Sequence, residues 1–229
     1  MNNYAIITAA GSGQRMNFSK KKQFIEIEGK PILLHTLDKF IKAQCFDSII
    51  VTCPVSDVGF LEDLLFSKFN FERNQISIIP GGKRRQDSVY NALKIIGETT
   101  EIVAIHDSVR PFVKVSEIAE SIELAKKYGA VTLAHHVKNT IKQVENNQVI
   151  KTLDRKNLWE IHTPQTFRVE LIKKAHDFAK SKNLSVRDDA ELVEILGHTV
   201  HVIKGSPYNI KITDPFDLIF AKLLFKKAL

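Results

Sequence analysis

The sequence contains little cysteine and no long hydrophobic run, and these shortages exclude several classes of protein. Its two cysteines, Cys45 and Cys53, lack the spacing of metal ligands. No charged-then-apolar segment precedes the first apolar run, and no membrane span is predicted. We therefore expect a reduced, cytoplasmic protein with no membrane partner.

Acidic residues are fewer than basic ones, 26 against 33, which gives a formal net charge of +7. Such a surplus is compatible with a nucleic-acid partner, with a multiply phosphorylated substrate or with no particular ligand. Most phenylalanines lie in apolar runs such as residues 216–220 rather than among arginines and lysines, so they provide no stacking platform for bases. We expect no nucleic-acid partner, although a basic nucleic-acid-binding module is the alternative from another class.

Apolar runs typical of strands alternate with helical patterns over most of the chain. This alternation predicts βαβ units and hence an α/β fold, a Rossmann-like, mainly parallel sheet with helices on both faces. At 229 residues and 44% hydrophobic content, we expect residues 1–229 to form a single domain. The last helix is predicted to begin at Pro215, to end near Lys227 and to pack on the sheet.

Residues 140–154 break the alternation. They read as two short strands around a turn at residues 145–148, and these strands are too polar for the centre of a parallel sheet. The sequence therefore predicts a projecting β-hairpin arm at about residues 138–155.

The segment AAGSGQRM, residues 9–16, follows the first predicted strand and contains two glycines. A dinucleotide-binding loop would place a third glycine at Met16, and a P-loop would contain Gly-Lys-Ser or Gly-Lys-Thr. The loop is therefore a phosphate loop of another kind, or a turn that needs glycine for positive φ angles.

Ligands of parallel α/β sheets bind beyond the carboxyl ends of the strands, and basic residues cluster after the predicted strands here. These residues are Arg15, Lys20, Lys21, Lys22, Lys83, Arg84, Arg85, Arg110 and Lys211. Asp107 accompanies them, at what we expect to be a solvent-facing strand end. Cations with one carboxylate suit a nucleoside triphosphate and Mg²⁺.

No side chain in the sequence has the context of a catalytic nucleophile. A G-x-S-x-G segment is absent, and the cysteines have no histidine partner at a readable spacing. We interpret His106 as a strand-end histidine whose partners are backbone groups, and we assign His135, His136 and His162 to structural roles.

Eight short segments together resemble one enzyme family in their order and spacing. They are AAGSGQRM, KKQF, GGKRRQDSV, HDSVRPF, LDRKNLW, TPQTF, DDAELVE and NIKIT. The chain resembles the methylerythritol-phosphate cytidylyltransferases, which transfer CMP from CTP to 2-C-methyl-D-erythritol 4-phosphate in non-mevalonate isoprenoid biosynthesis. This resemblance implies a nucleotidyltransferase fold that is similar to glycosyltransferase A.

Two other enzymes remain as alternatives. The ribitol-5-phosphate cytidylyltransferases, which make CDP-ribitol for teichoic-acid or polysaccharide synthesis, share HDSVRPF and TPQTF. LDRKNLW, DDAELVE and Ala9-Ala10 are more similar to the isoprenoid enzymes. A sugar-phosphate nucleotidyltransferase that uses UTP or GTP on the same fold is the other alternative.

The resemblance also implies residue roles. The catalytic cations are Arg15, Lys22 and Lys211. The nucleotide-binding residues are Ala9, Ala10, Gly11, Gly13, Gly81, Gly82, Arg85, Ser88 and Asp107, and Asp107 also binds the metal, Mg²⁺. The acceptor-binding residues are Arg110, Thr140, Arg155 and Thr163. The chain has Lys21 where the family usually has proline, which leaves the stiffness of that turn open.

The apolar residues of the arm predict that two chains assemble. These residues, Ile141, Val144, Val149 and Leu153, would be exposed on a lone hairpin, and a two-fold partner could cover them. Because relatives dimerise in this way, the resemblance implies a homodimer in which Arg155 reaches the acceptor site of the neighbouring subunit.

Overall fold

A computed structural model describes residues 2–11 and 21–226. Its strands are β1 (Asn3–Thr8), β2 (Glu26–Ile27), β3 (Lys30–Pro31), β4 (Ser48–Cys53), β5 (Ile76–Pro80), β6 (Ile102–Asp107), β7 (Ala130–His136), β8 (Lys142–Glu145), β9 (Gln148–Thr152), β10 (Trp159–Arg168) and β11 (His201–Lys204). Its α-helices are α1 (Ile32–Lys42), α2 (Val58–Glu62), α3 (Arg85–Ile95), α4 (Val115–Tyr128), α5 (Val169–Ser181), α6 (Asp189–Ile195) and α7 (Pro215–Lys226). No helix in these two ranges is long and apolar enough to cross a membrane.

A seven-stranded sheet in the order β11-β7-β10-β6-β1-β4-β5 organises the fold. Six of these strands are parallel to one another, and β10 is antiparallel to both of its neighbours, β6 and β7. The predicted α/β fold with a mainly parallel sheet is confirmed. The antiparallel β10 was not predicted, because the chain reaches it through the arm rather than through a crossover helix.

Helices cover both faces of the sheet, as predicted. Successive side chains of a strand point to opposite faces, and β1 shows this clearly. Ala5 and Ile7 pack in a buried cluster with α1 and α4, whereas Ile6 packs in a second cluster with α3, α5 and α6. Apolar residues on both faces explain why β1 reads as a continuous hydrophobic run.

The last helix, α7, differs from its prediction in where it packs. It begins at Pro215 as predicted, and its described part ends at Lys226. Its buried residues Leu218 and Ala221 contact Ile27, Val109 and other residues outside the main sheet. The prediction that α7 packs on the sheet is therefore wrong, because segments after β6 and around β2 and β3 lie beneath the helix.

The predicted hairpin arm is present as β8 and β9. Asn146 and Asn147 connect the strands with φ angles of 48° and 63°, as a two-residue type I′ turn requires. Every residue of both strands is exposed. Val144 and Val149 are among the exposed apolar side chains, whereas Ile141 and Leu153 at the base are partly buried.

Candidate active site

Strand register brings the predicted residues together at the carboxyl edge of the sheet. Thr8 is opposite Asp107 at the ends of β1 and β6. In the main sheet, β4 and β5 lie on one side of β1, and β6, the next strand along the chain, lies on the other side. Such a reversal opens a crevice beyond the strand ends, where ligands of this fold class bind.

A cavity of about 300 Å³ occupies this crevice. Nine of the predicted site residues line it: Ala9, Ala10, Gly11, Lys22, Gly82, Arg85, Ser88, Asp107 and Lys211. Five more are described but lie outside its lining: Gly81, Arg110, Thr140, Arg155 and Thr163. The predictions for Gly13 and Arg15 fall outside the described residues.

Asp107 is the electrostatic centre of the cavity. Its Oδ1 accepts a hydrogen bond from Arg85 Nε at 3.0 Å, and its Oδ2 lies 2.9 Å from Lys211 Nζ and 3.4 Å from Arg110 Nε. Burial alone would raise the pKa of Asp107, but Arg85, Lys211 and Arg110 outweigh burial and hold that pKa well below its usual range. Asp107 is only 5% exposed, so the expectation of a solvent-facing strand end is wrong.

Arg85 joins two carboxylates that are far apart in the sequence. Its Nη1 donates to Asp189 Oδ2 at 2.6 Å, while its Nε donates to Asp107. Although burial opposes the charged form, the two carboxylates raise the pKa of Arg85. Asp189 is itself 1% exposed and also contacts His176 Nε2 at 3.2 Å. This network fixes the first residue of α3 at the cavity wall.

Thr163 and His106 support Asp107 from behind. Thr163 Oγ1 accepts a hydrogen bond from the Asp107 amide at 3.1 Å and lies 3.0 Å from His106 Nδ1. The other ring nitrogen, Nε2, lies 3.1 Å from the Arg110 carbonyl oxygen, so it carries the proton. Burial lowers the pKa of His106 to about 3. His106 is therefore a neutral structural residue with a backbone partner, as interpreted from the sequence.

Two glycines after β5 are required for space. A Cβ on Gly81 would lie 2.5 Å from Ala10 Cβ and 2.8 Å from Ser88 Oγ. A Cβ on Gly82 would lie 2.3 Å from Asp87 Cβ. Ser88 Oγ also accepts a hydrogen bond from the Gly82 amide at 2.9 Å, so this serine shapes the loop.

Gly11 differs from Gly81 and Gly82. A Cβ there would meet no atom of the described residues within 4 Å, and its φ angle is not in the left-handed region. Within the described part of the chain, neither crowding nor backbone strain therefore explains this glycine. Because Gly11 lines the cavity, its missing side chain leaves space for a ligand to approach the backbone.

The turn at Lys21 keeps the shape that proline would give it. Lys21 has a φ angle of −60°, which lies within the range that proline imposes. Its Nζ lies 2.6 Å from Asp57 Oδ2. The replacement therefore leaves the backbone of this turn in a proline-compatible conformation, directly before Lys22.

Several residues that support the cavity were not predicted from the sequence. Gln23 is 1% exposed, and its Nε2 donates to the Ala9 carbonyl at 2.8 Å, which ties the loop after β1 to the turn at Lys22. Asn209 is buried, and its carbonyl oxygen accepts from Arg110 Nη1 at 2.7 Å. Gln23, Asn209 and Asp189 all lie in the segments KKQF, NIKIT and DDAELVE that we compared with the family. Those segments were the available signal, but only the fold identifies the partners.

Thr140 and Arg155 lie in the arm region. Both are exposed, and Arg155 Nη1 donates to the Lys138 carbonyl oxygen at 2.7 Å. The structure therefore does not bring these two predicted acceptor-binding residues to the cavity lining of their own chain.

Comparison with known proteins gives a consistent result. The family model for 2-C-methyl-D-erythritol 4-phosphate cytidylyltransferase matches residues 4–227. The enzyme of that name from Alkaliphilus oremlandii is 43% identical over 222 residues, covering 96% of this chain and 94% of the relative.

Solved structures agree as well. The 4-diphosphocytidyl-2C-methyl-D-erythritol synthase from Anaerococcus prevotii has a TM-score of 0.86 at 31% identity, covering 98% of both chains. The Francisella tularensis cytidylyltransferase has a TM-score of 0.81 at 37% identity, covering 97% of this chain and 99% of the other. With the strand-end cavity, the sheet order and these matches in agreement, the chain belongs to the 2-C-methyl-D-erythritol 4-phosphate cytidylyltransferase family.

Proposed function

We propose that this protein transfers CMP from CTP to 2-C-methyl-D-erythritol 4-phosphate and releases pyrophosphate. Family membership supports the reaction. The observation that carries it in the structure is the cavity in which Lys22, Arg85 and Lys211 accompany the buried carboxylate of Asp107. A cationic cavity suits two anionic substrates, which repel each other unless cations screen their charges.

The reaction depends more on the positioning of the two substrates than on a general base. An oxygen of the acceptor phosphate attacks the α-phosphorus of CTP, a new P–O bond forms, and the bond to the β-phosphate oxygen breaks as pyrophosphate leaves. A phosphate monoester is mostly dianionic at neutral pH, so its oxygen is already a nucleophile. The state of His106 is consistent with a reaction that needs no base. Both nitrogens of this neutral ring behind Asp107 are already engaged, one with Thr163 and the other with the Arg110 carbonyl.

The triphosphate side of the cavity has two kinds of donor. Lys22 and Lys211 line it as cations, and we assign the same role to Arg15. Lys83 and Arg84 line it immediately before α3 begins, where backbone amides and the helix dipole favour an anion. These groups stabilise charge that develops on the α-phosphorus and on pyrophosphate.

A divalent metal fits the cavity at Asp107. Mg²⁺ takes oxygen ligands and usually binds through one or two carboxylates together with substrate phosphates, and Asp107 is the carboxylate of the cavity lining. Of its three cationic partners, Lys211 has the most exposed side chain at 36%, so it can most readily yield its place. When bound, Mg²⁺ would neutralise phosphate charge.

The test is turnover by the full-length protein. We expect pyrophosphate release with CTP and 2-C-methyl-D-erythritol 4-phosphate, with much slower release when UTP replaces CTP or ribitol 5-phosphate replaces the acceptor. Excess chelator should abolish activity and added Mg²⁺ should restore it. Equal rates with UTP, or a preference for ribitol 5-phosphate, would show that the nucleotide or the acceptor is wrongly assigned.

We assign Gly81, Gly82 and Ser88 to cytosine binding, which predicts a steric effect. Gly81→Ala places a methyl group against Ala10 and Ser88. Overpacking costs about 1–3 kcal/mol of folding free energy, and relief of the clash displaces the loop that we assign to cytosine. We therefore expect the KM for CTP to rise about tenfold, which corresponds to about 1.4 kcal/mol of binding free energy. Steady-state kinetics with varied CTP measure this. Gly97→Ala is the matched control, because a Cβ there meets no atom of the described residues within 4 Å and Gly97 is outside the cavity lining. Equal KM values for the two variants would contradict the assignment.

We also propose a homodimer that forms through the arm. A two-stranded ribbon is at best marginally stable in water, and Val144, Val149 and Ile150 are more than half exposed on this one. A two-fold partner that contributes the same arm would bury these side chains by an isologous contact. Arg155, at the end of the arm, would then contact the acceptor phosphate in the partner's cavity.

Arg155→Ala is expected to raise the KM for the acceptor and to change kcat little. A spectator phosphate is bound similarly in the ground state and the transition state, so its loss affects binding. Thr140→Val should act in the same direction. Lys156→Ala, which removes the adjacent exposed cation, is the matched control. An unchanged acceptor KM in Arg155→Ala would show that the assignment is wrong.

Mixed dimers test whether the site is shared. Lys22→Ala and Arg155→Ala are refolded together and assayed at an acceptor concentration far below the raised KM of Arg155→Ala, where each variant alone is nearly inactive. If Arg155 acts across the interface, each mixed dimer has one intact site, and random pairing restores roughly a quarter of wild-type activity. Lys22→Ala mixed with Lys211→Ala is the control and should restore nothing, because both residues line one chain's cavity. No recovery in the first mixture would contradict the shared site.

A further inference from the structure

We propose that His135, Glu160 and His162 form a binding site for a divalent transition-metal ion, with Zn²⁺ as the reference ion. One ligand atom from each side chain lies within 4.8 Å of the other two. The site is separate from the Asp107 cavity, whose lining includes none of the three residues. This proposal replaces the purely structural roles that the sequence suggested for His135 and His162.

Strand pairing brings two of the three side chains together. His135 on β7 is directly opposite Glu160 on the antiparallel β10, and opposite residues are neighbours on one face of a sheet. His162 lies two residues further along β10, where the register with β7 shifts between Ile161 and Gln165. Its ligand atom lies within 4.8 Å of the other two, so this irregular stretch of β10 places its ring beside the pair.

The two imidazoles have unused ligand atoms. Nδ1 of His135 and Nδ1 of His162 are buried, and neither has a hydrogen-bond partner among the described residues. Buried polar atoms are normally paired, so each of these nitrogens requires an explanation. His162 is only 6% exposed, and a metal ion at its Nδ1 would provide the missing partner, whereas on His135 the nitrogen that lies 3.6 Å from Glu160 is Nε2.

The donor chemistry selects the type of ion. Two imidazole nitrogens with one carboxylate are ligands that Zn²⁺ and its first-row neighbours accept, with further positions left for water or an anion. Mg²⁺ prefers oxygen ligands, so it should compete poorly here.

Charged groups near the site have opposite effects on a bound cation. Glu160 brings one negative charge, and its Oε2 lies 3.6 Å from His135 Nε2. Arg110 is close enough to act on both Glu160 and His162 and disfavours a cation. Burial, with Arg110 and the neighbouring histidines, lowers the pKa of His162 to about 3.

A metal at this position would link the two strands at the root of the arm. β10 begins at Trp159, directly after the turn that contains Arg155, and β7 ends at His136, just before the arm. Metal binding should therefore slow proteolysis at the arm's base.

The experiment titrates Co²⁺ into untagged, metal-stripped full-length protein in excess Mg²⁺. We expect one Co²⁺ per chain, visible absorption from a low-symmetry site, and displacement by Zn²⁺. Glu160→Gln changes an exposed side chain and should fold normally, yet weaken Co²⁺ binding by about tenfold or more. His135→Ala should do the same.

His136→Ala is the matched control, since His136 is the next residue on β7, lies on the opposite face and packs on Trp159. It should bind Co²⁺ as the wild type does. The proposal is overturned if the wild type fails to bind Co²⁺ stoichiometrically, if Mg²⁺ prevents binding, or if Glu160→Gln and His135→Ala bind as tightly as His136→Ala.

Discussion

Replacing Asp107 with asparagine is expected to lower kcat/KM by on the order of 10²-fold to 10³-fold, because the change removes the carboxylate around which the cationic cavity is arranged. Arg85, Arg110 and Lys211 all contact it. Without its charge these cations repel one another and lose their fixed positions, and the proposed metal loses its protein ligand. Pyrophosphate-release kinetics at saturating Mg²⁺ measure the loss.

The same variant should also be less stable. Breaking a buried ion pair by removing one partner typically costs about 3–5 kcal/mol. We expect the lower end of that range, because asparagine can still accept hydrogen bonds and Lys211 can turn towards solvent. At the solvent-facing strand end that we expected from the sequence, the substitution would cost activity far more than stability; the burial of Asp107 changes that expectation.

Denaturant unfolding tests this, with Asp38→Asn as the matched control. Asp38 pairs with Lys30, and both side chains are about a quarter exposed, so the control should lose about 1 kcal/mol or less. The folded-state pKa of Asp107 is lowered, so its contribution is complete above the unfolded pKa of about 3.9 and is lost as pH falls through the folded value. The stability difference between wild type and Asp107→Asn should therefore persist at neutral pH and shrink in acid. A difference that grows in acid would contradict the charge network.

Lys22→Ala is the second variant with a large expected effect. In the proposed reaction, the phosphate groups that Lys22 contacts gain negative charge in the transition state. The kcat of the variant should therefore fall by on the order of 10²-fold or more, while its KM for CTP changes less. Arg15→Ala should act in the same way. Steady-state kinetics, with circular dichroism to confirm folding, measure the effect.

Lys21→Ala is the matched control for Lys22→Ala. The two lysines are adjacent, but Lys21 pairs with Asp57 and lies outside the cavity lining. Its loss should leave kcat within a few-fold of wild type, since neither Lys21 nor Asp57 lines the cavity. If Lys21→Ala and Lys22→Ala lower kcat equally, the effect comes from the turn as a whole and not from a cation on the triphosphate.

Local sequence signals predicted which residues lie together at the carboxyl edge of the sheet. Asp107, Lys22 and Lys211 come at or after the ends of predicted strands, and all three line the cavity there. Their roles in binding and catalysis stay predictions. The hairpin at Asn146 and Asn147 was equally readable, because its turn residues are local. Burial was not readable: Asp107 is covered by Arg85 and Arg110, which no local pattern indicates.

The amino-acid sequence by itself determined the alternation of strands and helices, the mainly parallel sheet and the edge at which the candidate site residues gather, because hydrophobic periodicity and turn residues act over a few positions. Only the tertiary structure decided that β10 enters the sheet antiparallel between β6 and β7. That one placement sets Thr163 against Asp107 and His135 opposite Glu160. The pairing of Arg85 with Asp189, 104 residues away, is likewise tertiary. Such contacts depend on cross-strand register and on packing between distant segments, and these are settled only when the whole chain buries its apolar surface together.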